Sequence, residues 1–244
     1  TGYGRLQDKL MKNRSSILEA VGTEALKPKV MASSNGLTVE YRAPYGLVAA
    51  LTPVTNGLPT VACNTMAMIA AGNTIVFNAH PAGKMAAAKA VDLLNRSVIE
   101  AGGPANLATM PRIPTTDTLK EMMESPLVSL LIGTGGEAMV ELLMSSKKKV
   151  IAAGPGNVPV IIDESADVKK AAETLMMAVP MENTMLCITE KEAFVVEEVY
   201  DQFVSEMQRL GARLLTPEEA RKVADVAVHQ EPNGKWMPVK KFVG

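Results

Sequence analysis

The residues best suited to nucleophilic chemistry in this 244-residue chain are its two cysteines. Cys187 lies in residues 181–191, ahead of an apolar run, and Cys63 lies in an apolar helical pattern. A thiolate can attack a carbonyl carbon, but a free cysteine is more often a small buried residue, so both interpretations stay open for Cys187. Cys63 fits the buried interpretation better. Since His80 and His229 are the only imidazoles, we expect no metal site.

A glycine-rich segment has the composition of a phosphate-binding turn. Gly133-Thr134-Gly135-Gly136 follows an apolar run and opens a helical pattern, which is the context of a dinucleotide-binding turn. Backbone N–H groups at such a helix start can face a pyrophosphate. No acidic residue stands clearly about 20 positions later, so a plain tight turn remains an equal alternative.

Along the sequence, short apolar runs alternate with segments of helical periodicity, and these are the strands and helices that must position the residues above. Strands that are apolar throughout and separated by helices indicate a parallel sheet covered on both faces. We therefore predict an α/β fold: a doubly wound, Rossmann-like nucleotide-binding domain over residues 1–180, and the incomplete start of a second α/β catalytic domain over residues 181–244. The predicted strands are 46–51, 74–77, 107–110, 127–132, 150–153, 160–162 and 193–196. The predicted helices are 60–71, 84–101, 117–124, 136–146, 167–178 and 199–210, with another beginning at Thr216 and no regular element after residue 228.

Composition excludes several classes of function. A net charge of −1 with dispersed basic residues argues against nucleic-acid binding. Residues 43–83 carry no charged side chain, but prolines, glycines and asparagines interrupt them before about 20 apolar residues accumulate, so we expect no membrane span. The N-terminus shows no charged leader followed by an apolar run, and we expect no signal peptide. Two widely separated cysteines suit a reducing compartment, so we expect a cytoplasmic protein.

Several short motifs in a fixed order extend along nearly the whole chain. They are Ala43-Pro44-Tyr45-Gly46-Leu47-Val48, Thr52-Pro53-Val54-Thr55-Asn56, Ala71-Gly72-Asn73-Thr74, His80-Pro81, Thr134-Gly135-Gly136, Gly154-Pro155-Gly156-Asn157, Asp163-Glu164-Ser165-Ala166-Asp167 and the segment around Cys187. In this combination the chain resembles the CoA-acylating aldehyde dehydrogenases of the aldehyde dehydrogenase superfamily. The likeness is to those of bacterial microcompartments for ethanolamine or propanediol utilisation.

The resemblance implies NAD-dependent oxidation of a short aldehyde, propanal or acetaldehyde, to acyl-CoA. Cys187 would be the nucleophile: its thiolate adds to the aldehyde, the thiohemiacetal gives hydride to NAD, and CoA releases the resulting thioester. Asn56, with a backbone N–H near the cysteine, would hold the oxyanion. A turn-forming asparagine beside Gly57 is the alternative for that residue.

The resemblance also implies the cofactor-binding residues. Thr134, Gly135 and Gly136 would lie near the phosphates of NAD. Asn78, His80 and Pro81 would follow the strand beside the adenosine ribose, although Asn78 stands where the hydrolytic relatives usually have a lysine. We interpret His80 as a binding or turn residue.

One departure from the hydrolytic aldehyde dehydrogenases concerns the product. Those enzymes activate the deacylating water with a glutamate, where this chain has approximately Ala153. A site without that base should retain its thioester until CoA arrives. Glu182 or Glu190 could substitute in principle, which leaves a hydrolytic enzyme producing the free acid as an alternative.

By the same resemblance the chain is an incomplete copy of the enzyme, so a non-catalytic NAD-binding fragment or assembly module is a further alternative. The expected partners are the aldehyde and CoA, with homo-oligomerisation of the full-length form and possible microcompartment shell or cargo contacts. No nucleic acid or membrane is expected. The expected location is the cytoplasm, inside a bacterial microcompartment.

Overall fold

The computed structural model describes residues 4–239, which divide into two compact units. The first comprises residues 10–155, and the second comprises residues 4–9 together with 156–239. The division after Pro155 lies earlier than the boundary after residue 180 that we predict for the functional domains. That functional boundary stays a prediction.

Three N-terminal elements have no counterpart in the elements predicted from the sequence. They are α1 (Leu6–Leu18), β1 (Lys29–Ser33) and β2 (Gly36–Glu40). β1 and β2 pair antiparallel as a hairpin whose strand residues are all exposed, so no buried apolar run marks them in the sequence. The two-residue turn is Ser34-Asn35, and Gly36 begins β2 with a positive φ of 140° that glycine adopts readily.

The first unit is built around a five-stranded parallel sheet in the order β5-β4-β3-β6-β7. Its strands are β3 (Leu47–Thr52), β4 (Thr74–Ala79), β5 (Ala108–Thr109), β6 (Val128–Thr134) and β7 (Lys149–Ala153). Its helices are α2 (Gly57–Ala70), α3 (Lys84–Glu100), α4 (Thr116–Glu124) and α5 (Glu137–Met144). All of these elements were predicted, with ends that differ by at most three residues.

Helices cover both faces of this sheet, which confirms the doubly wound α/β fold. Val48 and Ala50 of β3 pack with residues of α2 and α3, whereas Ala49 and Leu51 pack with residues of α4 and α5. Because successive side chains of a strand point to opposite faces and both faces are covered, β3 is apolar at every position from Leu47 to Leu51. Phe77 of β4 is fully buried, and burial of such a side chain contributes roughly 1.5–3 kcal/mol.

The strand order reverses direction between β3 and β6. The chain steps outward from β3 through β4 to β5, then returns to the other side of β3 for β6 and β7. The loops that leave the carboxyl ends of β3 and β6 therefore diverge, and ligands of open α/β sheets bind in the crevice that this divergence creates. Residues 53–56 and 135–136 form these two loops.

The second unit has a smaller core around a parallel pair of strands. Ile162, Leu175 and Phe203 are buried together where two helices cover the pair. The elements are β8 (Val158–Ile162), α6 (Val168–Ala178), β9 (Glu190–Val195), α7 (Glu197–Arg209), α8 (Pro217–Ala227), β10 (Val228–Gln230) and β11 (Trp236–Pro238). The predicted start of α8 is confirmed, since Thr216 and Glu219 form a capping box there.

The prediction that no regular element follows residue 228 is wrong for the described part of that stretch. β10 and β11 pair antiparallel, and His229 lies opposite Met237. Residues 240–244 lie outside the described residues. Across residues 4–239 no helix combines the length and apolarity that a membrane crossing requires. The uncharged residues 43–83 instead include β3, α2 and β4.

Candidate active site

Cys187 lies in a tight turn just ahead of β9. The turn is closed by a hydrogen bond in which the Thr189 N–H donates to the Leu186 carbonyl oxygen at 3.2 Å. Leu186 and Thr189 are both buried, whereas Cys187 itself is exposed and carries a free thiol. The turn is therefore anchored at both ends and presents its cysteine to solvent. This placement does not fit the interpretation of Cys187 as a buried core residue.

Two backbone donors lie next to the thiol. Within residues 4–239, the N–H groups of Cys187 and Ile188 have no hydrogen-bond acceptor. An oxyanion that forms on a carbon bound to the sulfur needs such preorganised donors. The turn therefore supplies both a nucleophile and donors suited to the charge that the attack produces.

The loop after β7 packs directly on the cysteine turn. A Cβ atom at Gly156 would lie 2.5 Å from the Cys187 carbonyl oxygen, a distance that real side chains essentially never show. Only glycine allows this approach without displacing one of the two segments. The sequence motif that contains Gly156 therefore supports the nucleophile, a role that its local pattern did not reveal.

Lys191 stabilises the same turn from the opposite end. Its Nζ donates to the carbonyl oxygens of Leu186 at 3.1 Å and of Thr189 at 2.6 Å. These bonds satisfy two carbonyls that flank the cysteine and restrict the turn to one shape. Sequence reasoning missed Lys191, because its partners are backbone atoms and no side-chain pattern records them.

Glu182 is not available as a base for water. Its side chain is fully buried, and its Oε2 forms an ion pair with the Lys9 Nζ at 2.5 Å. A carboxylate held in this way is committed to its partner and is shielded from solvent. The half-buried Glu190 opens β9, and Ala153 ends β7. Of the two glutamates that could replace the missing base, only Glu190 remains a candidate.

Asn56 precedes α2 in the loop that leaves β3. Its carbonyl oxygen accepts hydrogen bonds from the N–H of Thr60 at 3.1 Å and from the Thr60 hydroxyl at 2.7 Å. Its side-chain Oδ1 is buried and has no hydrogen-bond partner among the described residues. The side chain does not cap the helix, but Asn56 lies in the turn directly before Gly57, so the turn interpretation stays open. An uncommitted amide is compatible with a ligand-binding role, which stays a prediction.

The glycine-rich segment joins β6 to α5 at the reversal of strand order. Thr134 ends β6 and Gly136 is the N-cap of α5. The Gly135 N–H donates to the Ala153 carbonyl oxygen at 3.1 Å, so this amide serves the fold. The Met139 N–H of the first turn of α5 donates to the Gly136 carbonyl oxygen at 3.0 Å, whereas the Ala138 N–H has no acceptor among the described residues and can face an anion.

Thr52 is a polar residue of this crevice to which the sequence assigned no individual role. It ends β3, its side chain is 2% exposed, and its hydroxyl has no hydrogen-bond partner among residues 4–239. A buried hydroxyl that lacks a partner is costly unless a ligand or water satisfies it. The first unit thus has Thr52 and Asn56 at and just after the carboxyl end of β3, and Thr134 and Gly136 at and just after the carboxyl end of β6.

The remaining predicted cofactor residues lie at the end of β4. Asn78 is buried: its Oδ1 accepts from the Thr118 hydroxyl at 2.7 Å, and its Nδ2 donates to the Thr115 carbonyl oxygen at 3.1 Å. Both ends of this amide tie β4 to the start of α4, so the geometry favours a structural role over a ribose contact. His80 is exposed, and its Nδ1 accepts from the Ala82 N–H in a short helical turn that begins at Pro81.

Comparisons with known proteins agree on one lineage. Residues 13–229 match the model described as the aldehyde dehydrogenase family. Acetaldehyde dehydrogenase (acetylating) EutE of Escherichia coli (strain K12) is 39% identical, over 100% of this chain and 53% of that protein. Propanal dehydrogenase (CoA-propanoylating) of Salmonella typhimurium (strain LT2) is 36% identical, over 100% of this chain and 52% of that protein.

A solved structure agrees with both relatives. The chain is similar to a propionaldehyde dehydrogenase from the Clostridium phytofermentans fucose utilisation bacterial microcompartment, with a TM-score of 0.84 and 36% identity. That match covers 96% of this chain and 54% of the other. The chain therefore spans about half the length of the relatives it matches.

Proposed function

The chain belongs to the aldehyde dehydrogenase family, and on that premise we propose that its protein oxidises propanal or acetaldehyde to the acyl-CoA, with NAD as the hydride acceptor. The observation that carries the proposal is the exposed thiol of Cys187, fixed in a closed turn beside two uncommitted N–H groups. The relatives named for acetylation and CoA-propanoylation support the same reaction class.

In the proposed first stage, the Cys187 thiolate forms a bond to the aldehyde carbon, and the carbonyl oxygen becomes an oxyanion. The N–H groups of Cys187 and Ile188 donate to that oxygen, and we propose the Asn56 amide as a further donor. Collapse of the oxyanion expels hydride from carbon and leaves a thioester on Cys187. NAD, when bound, accepts the hydride.

The residues at the crevice between β3 and β6 fit a nucleotide. The Ala138 N–H at the start of α5 can face phosphate, and the buried Thr52 hydroxyl provides a polar group that lacks a partner among the described residues. We therefore propose Thr134, Gly135 and Gly136 beside the phosphates, with the Gly135 N–H retained by Ala153. His80 and Pro81 lie at the end of the neighbouring strand, where we propose the adenosine ribose.

The second stage determines the product. The CoA thiol gives up its proton as its sulfur attacks the thioester carbon, the Cys187 thiolate leaves, and acyl-CoA departs. One aldehyde, one NAD+ and one CoA thus give one acyl-CoA, one NADH and one proton. Hydrolysis would require a base for water, and Glu182 is buried in its ion pair with Lys9. We further propose that the protein acts as a homo-oligomer in a microcompartment, where the structurally similar propionaldehyde dehydrogenase is found.

The test follows NADH absorbance with NAD and either aldehyde, with and without CoA, and repeats the assay with NADP. The variant is Cys187→Ser, and Cys63→Ser is the matched control because Cys63 is half-buried in α2. We expect sustained NADH formation only with CoA, loss of all NADH in Cys187→Ser, and near-normal rates in Cys63→Ser.

Each alternative has its own outcome in that assay. Sustained turnover without CoA would refute the acyl-CoA product and favour the hydrolytic enzyme. Binding of NAD without NADH formation, in both the original chain and the variants, would favour a non-catalytic nucleotide-binding module.

A further inference from the structure

The three residues that precede the cysteine turn adopt an uncommon backbone conformation. Glu182, Asn183 and Thr184 have positive φ angles of 53°, 55° and 60°. The left-handed conformation costs roughly 1–2 kcal/mol for an ordinary L residue, and only glycine, asparagine and aspartate adopt it readily. Asn183 suits it, whereas Glu182 and the β-branched Thr184 do not. Contacts from elsewhere must hold this run in place.

The contacts come from the first residues that the structure describes. The Lys9 Nζ pairs with the Glu182 Oε2 at 2.5 Å, and the Asp8 Oδ2 accepts from the Glu182 N–H at 2.8 Å. Arg5 Nη2 donates to the Pro180 carbonyl oxygen at 3.3 Å. Residues 5–9 therefore bind the side chain and the backbone of the run, and the backbone just before it.

Gly4 shows how closely the chain covers the Glu182 carboxylate. A Cβ atom at Gly4 would lie 2.6 Å from the Glu182 Oε2, and Gly4 has a φ of +70°. Any other residue would meet both backbone strain and the buried carboxylate. The Glu182 side chain is fully buried beneath this segment, and a buried charge is tolerated only when it is paired.

We propose that residues 5–9 position the nucleophile: through the Lys9–Glu182 ion pair they hold residues 182–184 in the left-handed form and thereby set the orientation of Cys187. Lys9 and Glu182 are positioning residues in this assignment, since neither touches the reacting atoms. The inference rests on the proposed function of Cys187. It assigns the buried carboxylate of Glu182 a role in positioning rather than in acid–base chemistry.

The test compares Lys9→Met, which removes the charge at similar size, with Lys9→Arg, which keeps it. Lys89→Met serves as the matched control, because Lys89 forms an exposed ion pair with Asp92 on α3. In each protein we would measure the burst of NADH with aldehyde, the Kd for NAD, and deuterium exchange of the amides of residues 182–188.

For Lys9→Met we expect exchange in residues 182–188 to accelerate on the order of tenfold or more, because a buried pair that loses one partner opens locally. We expect the burst rate to fall roughly tenfold or more, since misplacing a reacting group by about 1 Å can cost about a hundredfold. The Kd for NAD should stay unchanged, Lys9→Arg should restore most of the burst, and Lys89→Met should behave as the original chain.

A Lys9→Met protein with normal local exchange and a normal burst, but a lower melting temperature, would overturn the inference and leave a purely structural ion pair. Absence of a burst in the original chain would instead count against the proposed function. The inference would then be decided by the alkylation rate of Cys187 with iodoacetamide in a Cys63→Ser background. Equal rates with and without Lys9→Met would overturn it, and a change of about tenfold would support it.

Discussion

The substitution Gly156→Ala tests whether the loop after β7 supports the nucleophile. The new Cβ would lie 2.5 Å from the Cys187 carbonyl oxygen, against 3.4 Å for ordinary contact, so the two segments must separate by about 0.9 Å. Such overpacking costs typically about 1–3 kcal/mol of folding free energy. The strain falls on the turn that carries the thiol, because the contact is with the backbone of Cys187 itself.

The functional effect should exceed the loss of stability. A shift of the turn by about 1 Å moves the sulfur from its attack position, and displacements of this size reduce kcat by up to about a hundredfold. We expect the Gly156→Ala protein to stay folded, to bind NAD normally and to lose most of its NADH burst. The assay combines urea unfolding with the pre-steady-state burst at saturating NAD and aldehyde.

Gly154→Ala is the matched control two residues earlier in the same motif. A Cβ at Gly154 would meet its nearest atom, Cγ2 of Val140, at 3.8 Å, which is ordinary contact. If Gly156→Ala and Gly154→Ala show the same burst rate, the loop does not determine the position of Cys187, and our reasoning about this contact is wrong.

Two further predictions concern groups outside the nucleophile turn. The hydrogen bonds from Ser165 lower the pKa of Asp163 from its ordinary value of 3.8. The ionised carboxylate therefore stabilises the fold above that pH, and this contribution is lost as the pH falls through the lowered pKa. Ser165→Ala should raise the pKa of Asp163 in an NMR titration, and an unchanged titration would contradict the assignment. The half-buried Lys148 donates from Nζ to the carbonyl oxygens of Ser125 at 2.8 Å and Val128 at 2.9 Å, so Lys148→Met should lower the free energy of unfolding by about 1–3 kcal/mol. The neighbouring Lys147 is exposed, so Lys147→Met is the control and should change the free energy of unfolding by less than about 0.5 kcal/mol in urea unfolding. Equal losses of stability in the two variants would refute the role of the Lys148 hydrogen bonds.

The central sheet was predictable because β3, β4 and β6 are buried on both faces. Burial on both faces requires apolar residues at nearly every position, and that requirement is visible in the sequence itself. The hairpin of β1 and β2 carries no such requirement, since its strand residues are all exposed. Its sequence signal was confined to the Ser34-Asn35 turn and to Gly36, which begins β2.

The candidate site was predictable only in part. Cys187 could be selected because many motifs in order resemble one family, and the exposed turn is consistent with that choice. The contacts that fix it join Gly156 and Lys9 to residues far away along the chain, and no local pattern encodes such contacts. For Asn78 the sequence instead suggested a role that the structure does not favour. Its position beside the predicted ribose site suggested binding, but its amide forms two hydrogen bonds within the fold.

The ion pair between Lys9 and Glu182 also bears on the order of folding. Its partners are 173 positions apart, so the pair closes a very long loop, and contacts of this kind form late because loop-closure entropy must be overcome first. During synthesis residues 5–9 leave the ribosome well before Glu182, which follows only after the strands of the central sheet have been made. By this reasoning the orientation of the thiol is set only after Glu182 has been made and has paired with Lys9, which is later than the central sheet can form.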